Sequence, residues 1–150
     1  MKKLFLLTFL LFPLLLLSQK NYWQQQANYS MVIDVDVDNH TYIGSQKLVF
    51  TNNSPETLDR VFYHLYFNAF KPGTDLEQNS RYSTDDSRTM SKNILMLDEK
   101  DWGDVQIKWM LQDGNPIEFK VEETILDVAL EKPVGPGEST TLEMEFFVQT

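Results

Sequence analysis

The sequence predicts an all-β domain, built as an antiparallel sandwich or an open barrel. Three observations carry that expectation. Apolar residues alternate with polar ones in most runs, turn-forming residues separate those runs, and no long amphipathic helix or internal repeat is present. At 150 residues there is room for one domain at most.

The chain opens on MKKLFLLTFLLFPLLLLSQ. Lys2 and Lys3 precede an apolar stretch over residues 4–17, interrupted by Thr8 and Pro13. It is shorter than the roughly 20 residues a membrane span takes. It reads as a secretory signal peptide, residues 1–18, cleaved after Ser18, although Leu16 fits the small-residue rule poorly. The competing reading is a retained anchor. With no cysteine in the chain, lipid attachment is excluded and the domain must hold together by its core. Those features suit a bacterial envelope protein, periplasmic or secreted. Residues 19–150 form the expected β-domain.

The strands follow in order. In YSMVIDVDV, Met31, Ile33, Val35 and Val37 share a face, with Val32, Asp34 and Asp36 on the other. A turn at DNHT leads into YIGSQKLVFTN, and a loop at NNSPETL leads into VFYHLYFNAF, residues 61–70. Extended throughout, that third strand would put Val61, Tyr63, Leu65, Phe67 and Ala69 on a core face. Phe62, His64, Tyr66, Asn68 and Phe70 would line the opposite face. Residues 71–93 show no period and read as a long loop, before a short apolar knot at residues 94–97. VQIKWMLQ places Val105, Ile107, Trp109 and Leu111 together, and Asp113-Gly114 predicts a tight hairpin. Ile117, Phe119 and Val121 then point inward, followed by Leu126, Val128 and Leu130. After the turn KPVGPGES, Leu142, Met144, Phe146 and Val148 point inward in a closing strand.

Charge removes some function classes. The formal charge is −9, and loss of Lys2 and Lys3 with the leader takes it to −11. Nucleic acid and anionic membranes reward clustered Lys and Arg, so neither is an expected partner. No membrane contact is expected once the leader is removed.

The catalytic search returns nothing in this chain. Only His40 and His64 are present, whereas a zinc site needs three or four converging ligands. His64 reads as a strand histidine bonded to a neighbour, and His40 as a turn residue. Asp34, Asp36 and Asp38 hint at a calcium loop, but the sixth and twelfth positions hold Asn39 and Ser45. Consecutive aspartates stand about 6.6 Å apart along a strand, so a solvated acidic row is the better reading. Asp75, Glu77, Asp85 and Asp86 read as solvated loop charge. No nucleophile elbow and no phosphate-binding glycine loop occurs. The expected catalytic, cofactor-binding and metal residues are therefore none. Phe62, Tyr66 and Phe70 form a face too apolar for water, so something should cover it: residues 71–103, or a neighbouring domain.

Two runs carry a resemblance. Residues 22–70 include Tyr42, Gly44, Leu48, Phe50 and Asn52 in the pattern Y-x-G-x-x-x-L-x-F/Y-x-N, followed by FYHLYFNAF. LEKPVGPGESTTLEMEF, residues 130–146, is the second. Together they resemble the opening of bacterial zinc aminopeptidases of the aminopeptidase N type, among the gluzincin metallopeptidases. The resemblance implies a saddle-shaped N-terminal β-domain that packs on a catalytic domain and helps wall a cleft for a peptide substrate. In such a parent, zinc polarises the scissile carbonyl and activates water, with a glutamate as base. The H-E-x-x-H helix, the G-x-M-E-N strand and the catalytic tyrosine have no matching positions here, so the β-domain is expected to be incomplete and the catalytic domain absent. A freestanding envelope sandwich that binds glycans or partner proteins through Tyr82 or Trp102 is the alternative.

Overall fold

A computed structural model of the chain describes residues 22–81 and 94–150. The expected signal peptide, residues 1–18, lies outside them, as do Tyr82, Asp85 and Asp86. Among the described residues no helix is long and apolar enough to cross a membrane.

Among the described residues eight strands form two antiparallel sheets, so the all-β sandwich reading holds. They are β1 (Gln26–Asp36), β2 (Thr41–Thr51), β3 (Leu58–His64), β4 (Asp104–Gln112), β5 (Asn115–Pro116), β6 (Phe119–Glu122), β7 (Ile125–Val134) and β8 (Ser139–Gln149). One sheet has the order β1-β2-β8-β4-β5 and the other β3-β7-β6. A single core lies between them, formed by Leu48, Met110, Leu126, Val128, Leu142 and Met144 with their neighbours. The predicted inward rows of β7 and β8 are the buried rows observed.

The turns follow their residue types. His40 takes φ 55° after β1, where Asp36 accepts from the Asn39 backbone N–H at 3.0 Å. Asp113 and Gly114 take φ 50° and 83°, the primed turn that an aspartate and a residue without Cβ tolerate. The returning strand β5 pairs for only two residues, and one further bond, from the Ile117 N–H to the Met110 carbonyl at 3.2 Å, continues it. The chain then crosses to the second sheet, where Phe119 pairs with Val128 in β7. Ile117 and Phe119 reach the core as expected; Val121 is exposed.

Four expectations need correction. The third strand stops at His64, and Tyr66–Phe70 is a 3-10 turn, so the extended two-face pattern fails beyond Leu65. In β4 a bulge between Ile107 and Trp109 reverses the alternation. Val105 and Ile107 face the core, but Met110 and Gln112 follow them inward while Trp109 and Leu111 turn to the outer face. Lys108 is the extra residue, and its ammonium lies 5.7 Å from the Phe147 ring centroid. Within the supposed loop, Asp75–Arg81 is a helix, α1. Glu77 is buried at its first turn rather than solvated, where its carboxylate accepts from the Gly73 N–H at 3.2 Å. The apolar knot at 94–97 does form a helical turn, with Ile94 buried.

Strand β1 departs from the expectation in another way. Its eleven residues pair with β2 without a break, yet all eleven are exposed. Met31, Ile33 and Val35 share the face of Gln46, Gly44 and Tyr42 in the register. The three-stranded sheet does not cover them, so the larger sheet overhangs the smaller by one strand.

Candidate functional site

Buried amide side chains organise the molecule. Three of them clasp segments far apart in sequence. Asn52, fully buried, donates from Nδ2 to the carbonyls of Glu56 at 2.7 Å and Val134 at 2.9 Å. Its Oδ1 accepts from the Ser54 N–H, the Ser54 hydroxyl and Gln25 Nε2. Its backbone N–H donates to Glu138 and its carbonyl accepts from Gly137. Asn68 accepts from the Val105 N–H at 2.7 Å and donates to the Glu123 carbonyl at 2.9 Å. Gln112 donates to the Lys132 carbonyl and the Thr140 hydroxyl, and accepts from the Lys132 N–H. Each clasp satisfies backbone groups that loops would otherwise leave bare.

The residues of the two quoted runs meet in this framework. Asn52 closes the Y-x-G-x-x-x-L-x-F/Y-x-N pattern of the first and bonds to Val134, Gly137 and Glu138 in the second. Gly44 lies beneath the Phe146 ring, where a Cβ would stand 2.4 Å from Cζ. Leu48 and Leu142 face each other across the β2–β8 register in the core. These positions are therefore structural.

The ring-rich stretch forms a rim. His64 stacks on Tyr66, with centroids 5.3 Å apart and planes at 13°. Phe62 is 60% exposed and Tyr66 72%, so the described residues of this stretch, 71–81 and 94–103, leave them uncovered. Phe70 is half-buried, with its Cβ close to Gly103. The indole of Trp102 donates to the Leu97 carbonyl at 3.3 Å, which is loop packing. Asp34, Asp36 and Asp38 stand exposed on β1 and its turn. Asp36 is held below the ordinary carboxylate range, first by its side-chain hydrogen bond from Asn39 and next by the Asn39 backbone N–H. It is a turn cap.

Behind the rim a cleft of about 260 Å³ opens between the sheets. Tyr42, Gln46, Tyr63, Leu126, Met144 and Phe146 line it. Gln46 is 8% exposed, and its Nε2 has no hydrogen-bond partner; neither has the buried Tyr63 hydroxyl. Burial pushes the Tyr63 pKa up strongly, with a smaller contribution from Tyr29. Sequence reasoning passed over Gln46. The signal was its parity, since Gln46 stands between Gly44 and Leu48 on the core-facing row of β2.

No protein-family model and no curated protein sequence matches the chain. Solved structures do. An M1 zinc metallopeptidase from Deinococcus radiodurans matches 81% of this chain with a TM-score of 0.51 at 14% identity, using 19% of its own length. A mutant of that metallopeptidase bound to a Tyr-Ser-Ala substrate matches with the same coverage at 13% identity and a TM-score of 0.51. A two-domain M1 zinc metallopeptidase mutant bound to L-tryptophan matches 85% of this chain and 21% of its own, at 13% identity and a TM-score of 0.53. The chain thus spans about a fifth of the length of these proteins, and across that fifth it has the fold of an M1 zinc metallopeptidase segment.

Proposed function

We propose that this chain is the N-terminal scaffold domain of an exported zinc metallopeptidase of the aminopeptidase type, and that it packs on a catalytic domain elsewhere in its parent. The shared fold carries the reading, because it covers over four-fifths of this chain and about a fifth of the metallopeptidases. The uncovered rim adds to it. Burying Phe62 and Tyr66 against a neighbour would gain on the order of 25 cal/mol for each Å² of apolar surface covered.

The described residues do not fit a zinc site. His40 sits in a positive-φ turn and His64 stacks on Tyr66, and no three His, Asp or Glu side chains among the described residues are grouped to hold an ion. No zinc step is assigned to this chain. Zinc and the peptide substrate belong to the parent's catalytic domain, and the contribution of these residues is a rigid wall.

The coding sequence downstream tests the proposal. An open frame continuing for several hundred codons and containing H-E-x-x-H is the expected result. A stop codon directly after that of Thr150 would refute it. Export is tested separately by N-terminal sequencing of the protein recovered from a bacterial envelope. Cleavage before Gln19 is expected, and an intact Met1 in the membrane fraction would replace the leader by an anchor.

A further inference from the structure

We propose that the cleft between the sheets receives one uncharged apolar side chain of an extended peptide, with a carbonyl of that peptide accepting from Gln46. The proposal does not rest on the metallopeptidase reading. Among the described residues four amide side chains are buried, and three of them make bonds to two or more partners. Gln46 is the exception: it lines the cleft, and among the described residues nothing accepts from its buried Nε2. A second orphan, the Tyr63 hydroxyl, stands on the opposing sheet. Leaving such groups unpaired is costly, and in other proteins they point to a missing partner.

The chemistry of the cleft narrows the occupant. Among the described residues no Asp, Glu, Lys or Arg lines it, so a charged group would be desolvated without compensation from them. The cleft wall is mostly apolar, with Leu126, Met144 and Phe146 beside the polar atoms of Tyr42, Gln46, Tyr63, His64 and Tyr66. One apolar group with an adjacent acceptor satisfies both features. The volume lies just under the ~300 Å³ at which drug-sized pockets begin, so it suits a single large side chain. The floor also continues past the cleft. Met31 pairs with Gln46 in the register, and Tyr29, Met31, Ile33 and Val35 lie exposed beside it. That extension favours a polymer over a compact small molecule.

The test is an NMR titration of the isotope-labelled full chain with N-acetyl-L-leucine N-methylamide, with N-acetylglycine N-methylamide as the comparison. Saturable shifts of the Gln46 side-chain amide and the Met144 methyl are expected with the leucine compound. The glycine compound should bind at least about tenfold more weakly, as loss of a buried aliphatic side chain implies. Gln46→Leu should weaken the leucine compound about five- to tenfold while keeping the folded spectrum. Tyr63→Phe supplies a second variant should the first fail to fold, and it should weaken binding in the same direction. No saturable shift would leave the cleft to water and overturn the proposal. Equal response to both compounds, unchanged affinity in both variants, or dimerisation of the chain through this face would overturn it too.

Discussion

Single amide side chains decide how the loops of this protein are held. Asn52 makes five side-chain hydrogen bonds and two through its backbone, reaching residues 25, 54, 56, 134, 137 and 138. Asn52→Ala would strand the Val134 and Glu56 carbonyls in or near the interior, at a cost on the order of 3 kcal/mol. Denaturant unfolding should show that loss as a lower midpoint with an unchanged slope. Asn52 was legible as a core-side residue, since its parity in YIGSQKLVFTN matches Leu48 and Phe50. Its partners were not legible, because no local pattern says that the turn at 135–138 folds back over it. The same holds for Gln46, whose inward parity was visible while its lack of a partner is a property of the assembled sheets.

At the scale of elements, alternation worked wherever a strand ran unbroken, as in β7 and β8. It failed in β4, where one bulged residue reversed the phase. Met110→Ala should therefore cost about 2–5 kcal/mol, as for other buried large-to-small changes. Trp109→Ala, at a residue 41% exposed, should cost distinctly less; thermal unfolding of the pair checks which phase is right. Helix α1 was legible and overlooked. Thr74-x-x-Glu77 has the spacing of a capping box, and the Thr74 hydroxyl does accept from the Glu77 N–H at 3.4 Å. The polar composition around it hid the signal. The two ends of the 71–103 excursion are joined by an ion pair between Lys71 and Asp104. Burial alone would raise the Asp104 pKa, but hydrogen bonds from Lys71 and Gln106 and the charges of Lys71 and Lys108 bring it below its ordinary 3.8. A carboxylate depressed on folding stabilises above its unfolded pKa, and that contribution disappears as pH falls through the folded value. The stability difference between the natural chain and Asp104→Asn should thus be flat above about pH 5 and shrink below pH 4. Urea titrations across that range would measure it.

For the molecule as a whole, unequal sheets are the dominant feature. A five-stranded sheet faces a three-stranded one, and among the described residues β1 is left with both faces and one edge open. Such an edge, long and free of bulges or proline, invites pairing with another chain. Ile33→Lys should leave the unfolding free energy within about 0.5 kcal/mol, because the side chain is already exposed. It should also lower self-association in sedimentation runs; no change there would mean that the edge is not sticky. The overhang was hidden from the sequence, since alternation in β1 shows which residues share a side and not whether anything lies opposite.

The position of β8 has a consequence for biosynthesis. It occupies the middle of the larger sheet, yet it is translated after both strands it joins, β2 and β4. A nascent chain shorter than about 139 residues therefore holds a β1–β2 hairpin and a separate β4 with no bridge between them, and closing such distant contacts is the slow part of folding. Ribosome-stalled lengths on either side of this strand should differ sharply in protease resistance, with compaction arriving late and all at once.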